Sequence, residues 1–287
     1  MSTTPRHDDT SDEALTDLTD VLTRRDVGFL RLLDGLAART FAAQRPRSTL
    51  FDLEVMAHVI DGDQPSMVHQ PIVDLTTGEV RGYEALARFD LEPRCSPDVW
   101  FARARRVGLG LELELKAVQA GLEALSALPR ELFVTVNVSA RTLCSPQLRH
   151  LLAGVPGARV VVEVTEHELV EDYEAVNDAV GALRAHGFRL AVDDAGTGCA
   201  GLGHILKLTP DVIKLDKLIT SGIDVSPRRR AIAAAVVALA RHWGSIVVAE
   251  GIETAAELEV LRAIGVGRGQ GYFLGRPAPI QTWLGAA

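Results

Sequence analysis

Cysteine is scarce. The 287 residues hold three, Cys95, Cys144 and Cys199. An odd number without CxxC spacing argues against a disulfide framework or a structural zinc site, and for a reducing, cytoplasmic setting. Aromatic residues make up only 5%. Trp100, Trp243 and Trp283 show no regular spacing of the kind a base-stacking platform needs, so they read as packing groups. No apolar run approaches the roughly 18 residues of a membrane span. The opening MSTTPRHDDTSDE lacks the basic and apolar regions of a signal peptide. Positive charge is in deficit as well. Thirty Lys and Arg against 38 Asp and Glu leave a net charge of −8, which disfavours a broad nucleic-acid surface and leads us to expect no DNA partner. An anionic substrate stays compatible with that charge if metal ions sit between carboxylates and phosphate.

Hydrophobic residues make up 47%, enough for a sizeable core. Residues 1–20 carry Asp8, Asp9, Asp12, Glu13, Asp17 and Asp20 with almost no large apolar groups, and read as a disordered acidic tail. Deleting them is expected to leave folding intact; a large drop in melting temperature would overturn that reading. Residues 21–65 read as a helical extension. Val27, Leu30, Leu33 and Leu36 recur at helical spacing, and Phe51 to Ile60 is a second amphipathic stretch before the turn cluster Asp61-Gly62-Asp63-Gln64-Pro65.

From residue 66 to residue 287 strand and helix patterns alternate. Strand signals fall at Met67–Leu75, Val80–Phe89, Leu132–Val138, Val160–Val164, Leu190–Asp193, Val212–Leu215, Ile246–Ala249 and around Gly271–Leu274. The first two are joined by Thr76-Thr77-Gly78-Glu79, short enough for a hairpin. Eight strand signals over about 220 residues fit an α/β (βα)8 barrel opened by a hairpin better than an open sheet.

The strand ends are loaded with polar groups: Glu84, Asn137, Glu163 and Glu166, Asp193 and Asp194, Lys214 and Asp216, Glu250 and Glu253, and Gln270 at the eighth. In such a barrel the strand C-termini converge on one face. Each acid alone is compatible with a helix N-cap or a solvated loop. Together they would repel one another in one pocket and stay ionised only around cations. Carboxylates with an amide oxygen suit Mg²⁺ or Mn²⁺, and a two-metal carboxylate site suits phosphoester hydrolysis. Lys214 adds a point charge and Arg88 a phosphate fork, although each is equally compatible with a structural salt bridge. Gly196-Thr197-Gly198-Cys199-Ala200-Gly201 matches GxGxxG after a strand. Asp193 and Asp194 directly before it would repel a pyrophosphate, so those glycines read as an active-site loop.

These motifs, in this order, resemble the EAL-domain family of cyclic di-GMP phosphodiesterases. The resemblance runs through Gln70-Pro71-Ile72-Val73-Asp74-Leu75, Glu84-Ala85-Leu86 with Arg88, Asn137-Val138-Ser139 and Glu163-x-Thr-Glu166. It continues in Asp193-Asp194-x-Gly-Thr-Gly, Lys214-Leu-Asp216, Glu250-Gly251-Ile252-Glu253, Gln270-Gly271-Tyr272 and Gly275-Arg276-Pro277. It implies a modified TIM-like barrel with one antiparallel strand, hydrolysis of cyclic di-GMP to linear pGpG, a two-metal Mg²⁺ or Mn²⁺ site and a homodimer. By position, Glu84, Asn137, Glu163, Asp193 and Asp194 resemble metal ligands. Glu250 resembles the general base, Lys214 a group that orients water, and Gln270 a support for water and metal. Gln70, Leu86 and Arg88 resemble substrate contacts, and Glu166 the anchor of the loop after Asp194. Ala195 and Cys199-Ala200-Gly201 depart from the family's Phe and Tyr-Ser-Ser. That leaves a second expectation, a weakly active or inactive module that binds cyclic di-GMP or a protein partner.

Overall fold

The computed structural model describes residues 47–92, 94–164, 172–195 and 199–284; for 47–51, 194, 195, 199–202 and 204 it describes backbone alone. The acidic tail, the helix expected before residue 44 and Glu166 lie outside the described residues. The chain divides into two compact units, Met1–Gly62 and Asp63–Ala287. In the first, the amphipathic stretch forms the helix Arg47–Asp61.

The second unit is a closed barrel in the order β1 to β8. The strands are β1 Ser66–Asp74, β2 Val80–Arg88, β3 Phe133–Val138, β4 Val160–Val164, β5 Arg189–Ala195, β6 Val212–Leu215, β7 Ile246–Ala249 and β8 Arg268–Gly269. β1 runs antiparallel to both neighbours, β2 and β8, and every other pairing is parallel. This is the expected barrel with one inverted strand.

The inversion starts in the hairpin. Asp74 Oδ1 accepts the amides of Thr76 and Thr77 at 2.9 and 3.1 Å, and Gly78 takes φ +78°, where a side chain is disfavoured. The chain therefore reverses at once, without the crossover helix a parallel strand would need.

Strand periodicity sorts the side chains into two cores. In β3 and β4 the outward positions are Val134, Val136, Val138, Val160, Val162 and Val164, packed beneath the helices. The inward positions form a separate cluster with Ile72, Phe133, Val161, Ala191, Val212 and Val248. Each buried Val contributes about 1.5–3 kcal/mol over its exposed state. The same inward parity, continued along each strand toward its C-terminus, delivers Thr135 and Asn137, Glu163, Asp193, Lys214 and Glu250 to the upper lumen and mouth.

The tryptophans do pack. Trp100 is fully buried and stacks on Phe89 at 5.4 Å. Trp283 donates its indole N–H to His69 O at 2.9 Å.

The eighth strand ends earlier than its apolar pattern suggests. Pairing stops at Gly269, and Gly271–Leu274 forms a turn. Gly271 lies so close to the loop after β7 that a Cβ there would sit 2.2 Å from Ile252 N. Ile252 N donates to Gln270 O, and Phe273 N donates to Ile252 O. Those bonds take the place of a strand ladder.

Candidate active site

Four carboxylates converge on one ammonium at the C-terminal mouth of the barrel. Lys214 Nζ is bonded to Glu163 Oε1, lies 2.5 Å from Glu250 Oε1, and has Glu84 Oε2 at 3.4 Å and Asp193 Oδ1 at 3.7 Å. Lys214 is 2% exposed and Glu163 not at all. Amides tie the acids together. Gln270 Nε2 donates to Glu84 Oε2 at 2.6 Å and to Glu250 Oε1 at 3.0 Å, and Asn137 Nδ2 donates to Glu84 Oε1 at 3.1 Å. The structure thus brings together Glu84, Asn137, Glu163, Asp193 and Lys214 from five strands, with Glu250 and Gln270 from the segments directly after β7 and β8.

One ammonium cannot neutralise four carboxylates. Desolvation raises Glu250 to about 8, against the pull of Lys214, with Asp193 and Glu84 adding repulsion. Desolvation also raises Glu163 well above its ordinary value. Burial alone would discharge Lys214, but the surrounding acids outweigh it and raise its pKa. A pH dependence follows. Between about 4.5 and 8 the folded, metal-free protein keeps protons the unfolded chain has released, so stability falls as pH rises. Buried His69 has a lowered pKa and works the other way, but only below 6.5, where its unfolded form charges. From pH 6.5 to 8 in chelator, denaturation is expected to show a loss of about 2 kcal/mol, which Mn²⁺ abolishes. A flat or rising profile would contradict the cluster's excess charge.

The donor chemistry fits a hard divalent cation. Carboxylate oxygens of Glu163, Asp193 and Glu250 lie within 4.8 Å of one another. Glu163 Oε2 is buried without a hydrogen-bond partner, an acceptor placed for a cation.

Beside the cluster opens a cleft of about 580 Å³, lined by Glu84, Leu86, Arg88, Asn137 and Asp193 together with Met67, Phe101, Arg105, Glu114 and others. Leu86 and Arg88 thus line this cleft. Gln70 pairs with Glu84 in the β1–β2 register, but its amide donates to Gly275 O at 3.0 Å. Asp194 lies on β5 with its side chain outside the described residues. So do the side chains of Ala195 and Cys199-Ala200-Gly201.

Two strand-end acids do not join the pocket. Asp216 caps the helix Lys217–Thr220, accepting Leu218 N at 2.6 Å. Glu253 is exposed, and its amide donates to Glu257, which forms a capping box with Thr254. Both take the helix-capping or loop role open to any strand-end acid.

The strand-end pattern also misses residues supplied by helices. Phe101 and Arg105 come from the helix Pro97–Val107. Glu114, on the helix Gly110–Leu122, accepts Ser139 N at 2.9 Å and faces Arg105 at 3.9 Å. The sequence does carry a signal for Glu114. It shares the buried stripe of Ala117, Val118 and Gly121, where an unpaired charge would be costly.

Residues 54–277 match the EAL domain family. The chain belongs to that family. The cyclic di-GMP phosphodiesterase NbdA of Pseudomonas aeruginosa is 33% identical over 239 residues, covering 79% of this chain and 30% of NbdA. The chain spans about 30% of the length of the curated relatives it matches. Among solved structures, the PaMucR phosphodiesterase in complex with c-di-GMP superposes with a TM-score of 0.72 at 27% identity. It covers 82% of this chain and 99% of that one. A manganese/c-di-GMP complex of Klebsiella pneumoniae BlrP1 gives 0.67 at 31% identity, covering 76% and 57%. Among the described residues of this EAL domain, no helix is long and apolar enough to cross a membrane.

Proposed function

We propose that this EAL domain hydrolyses cyclic di-GMP to linear pGpG. The observation that carries the reading is the convergence of Glu84, Glu163, Asp193 and Glu250 around Lys214 beside an open cleft. Glu84, Asn137, Glu163, Asp193 and Asp194 would hold one or two Mg²⁺ or Mn²⁺ ions. When bound, these ions supply water activation and neutralise phosphate charge.

The chain's own residues do the rest. Glu250 takes the proton of the attacking water as its oxygen bonds to phosphorus. The P–O3′ bond breaks, and the departing oxygen takes up a proton from solvent. Lys214 orients the water and offsets charge on the phosphate. Gln270 holds Glu84 and Glu250 at fixed separation. Arg88 offers a guanidinium fork to a phosphate in the cleft, and Leu86 an apolar wall. Gln70 reaches a ligand only by releasing Gly275. In this reading Glu166 anchors the loop after Asp194, the active form is a homodimer, and the work is done in the cytoplasm.

The test is chromatography of purified protein incubated with cyclic di-GMP in Mg²⁺, in Mn²⁺ and in chelator. Metal-dependent pGpG supports the enzyme. Binding of cyclic di-GMP without product would instead identify a receptor, the reading favoured by Ala195 and Cys199-Ala200-Gly201. Neither product nor binding would overturn both.

A further inference from the structure

The inward parity that builds the carboxylate mouth continues downward to the opposite end of the barrel. There it carries a different chemistry. In β5 the inward series is Arg189, Ala191, Asp193, and in β8 it leads from Arg268 to Gln270. Four residues of extended strand separate Arg189 from Asp193, about 13 Å at the usual strand rise. The lumen therefore points carboxylates to one end and arginines to the other.

Phe133, first residue of β3, plugs the lower lumen. The guanidinium of Arg189 lies 4.8 Å from its ring centroid and that of Arg268 5.2 Å. Beside them is a cavity of about 350 Å³, lined also by Asp74, Arg81 and Glu131. Arg81 is matched there, with Asp74 at 3.6 Å and Glu79 at 3.2 Å. Asp74 is committed in turn to Arg81 and to the hairpin amides. Glu131 is exposed at the rim. Among the described residues neither Arg189 nor Arg268 forms an ion pair, and Arg268 Nη1 is buried without a hydrogen-bond partner.

Two guanidinia held over one ring and partly desolvated repel each other; Asp211 and Asp74 attract them from beyond ion-pair distance and give their forks no acceptor. A ring face offsets part of that repulsion and satisfies no N–H donor. A phosphoryl group supplies what is missing: negative charge in direct contact with two cations that no carboxylate touches, and oxygens for their donor forks. The cavity admits such a group with a small organic substituent. We infer that the floor of the barrel, framed by Arg189, Arg268 and Arg81 around Phe133, is a binding site for a phosphoryl anion, distinct from the carboxylate mouth. Its ligand is inorganic phosphate or a small phosphate monoester. The inference stands on these residues alone and does not depend on the proposed hydrolysis.

The experiment titrates the full chain with inorganic phosphate in chelator, by calorimetry and thermal denaturation, against chloride at matched ionic strength. Without metal, the acidic mouth repels phosphate, so the floor is read by itself. Wild type is expected to bind phosphate and melt at higher temperature as phosphate rises. Arg268→Met and Arg189→Met are each expected to weaken binding at least tenfold. Arg268→Lys, which keeps the charge and loses the fork, is expected to fall between. Mn²⁺ binding to the carboxylate mouth stays unchanged in all three variants, which shows that the barrel remains folded. Guanosine monophosphate in a parallel titration separates the sources. Equal or tighter binding than phosphate assigns the site to an ester, and exclusion assigns it to the free ion. A wild-type response no larger than that to chloride overturns the proposal. So does undiminished phosphate binding in the Arg189→Met/Arg268→Met double variant.

Discussion

In chelator, Lys214→Met is expected to destabilise the barrel by about 3–5 kcal/mol, the usual cost of removing one partner from a buried ion pair. The substitution nearly preserves volume, so packing changes little. What changes is charge. Glu84, Glu163, Asp193 and Glu250 would face one another without the ammonium that now touches Glu163 and sits 2.5 Å from Glu250. Part of the strain is relieved as the acids bind protons, so the deficit should widen from pH 6 to pH 8. Mn²⁺ should rescue the variant by a larger margin than it stabilises the wild type, because the cation then replaces the missing charge. Urea denaturation with and without metal measures both quantities. A loss below about 1 kcal/mol would place the pair with exposed ion pairs and remove Lys214 as the cluster's counter-charge.

Glu250→Gln is expected to lower turnover of cyclic di-GMP by about 10²–10⁴-fold, the range for a lost general base. The amide keeps the shape and an oxygen for Gln270 Nε2, now 3.0 Å away, but it takes no proton. Binding of cyclic di-GMP should change only a few-fold, which separates a lost base from a collapsed pocket. Glu84→Ala should abolish turnover by another route. Glu84 accepts from both Asn137 and Gln270, so its removal frees two amides as well as a metal ligand. Turnover near wild type in either variant would overturn the assignment of these residues.

The barrel was legible because strand and helix periods differ and alternate cleanly. The site was legible because it is built almost entirely at strand ends. Once Val160-Val161-Val162-Glu163-Val164 is read as a strand, parity places Glu163 inward with Val161. Parity says nothing about groups that arrive from helices, so Arg105 and Phe101 carry no strand-end mark. Nor does a strand-end acid declare whether it faces the lumen or caps the next helix. Asp216 and Glu253 turn to the start of the next helix, whereas Glu250 turns to Lys214. The register of β1 was beyond sequence too. The hairpin sets Gln70 opposite Glu84, yet a long-range bond to Gly275, 205 residues away, decides where its amide points.

The inverted strand has a mechanical consequence. In an all-parallel barrel the first strand starts at the floor, far from the reacting groups. Here β1 starts at the carboxylate rim, with Ser66 paired to Arg88. The polypeptide is threaded in from above. Tension or slack applied at residue 66 acts along the strand that carries Gln70, and through its ladder on the strand that carries Glu84, Leu86 and Arg88. Any segment joined upstream therefore has its lever arm at the mouth of the barrel, one register pair from the strand that carries Glu84.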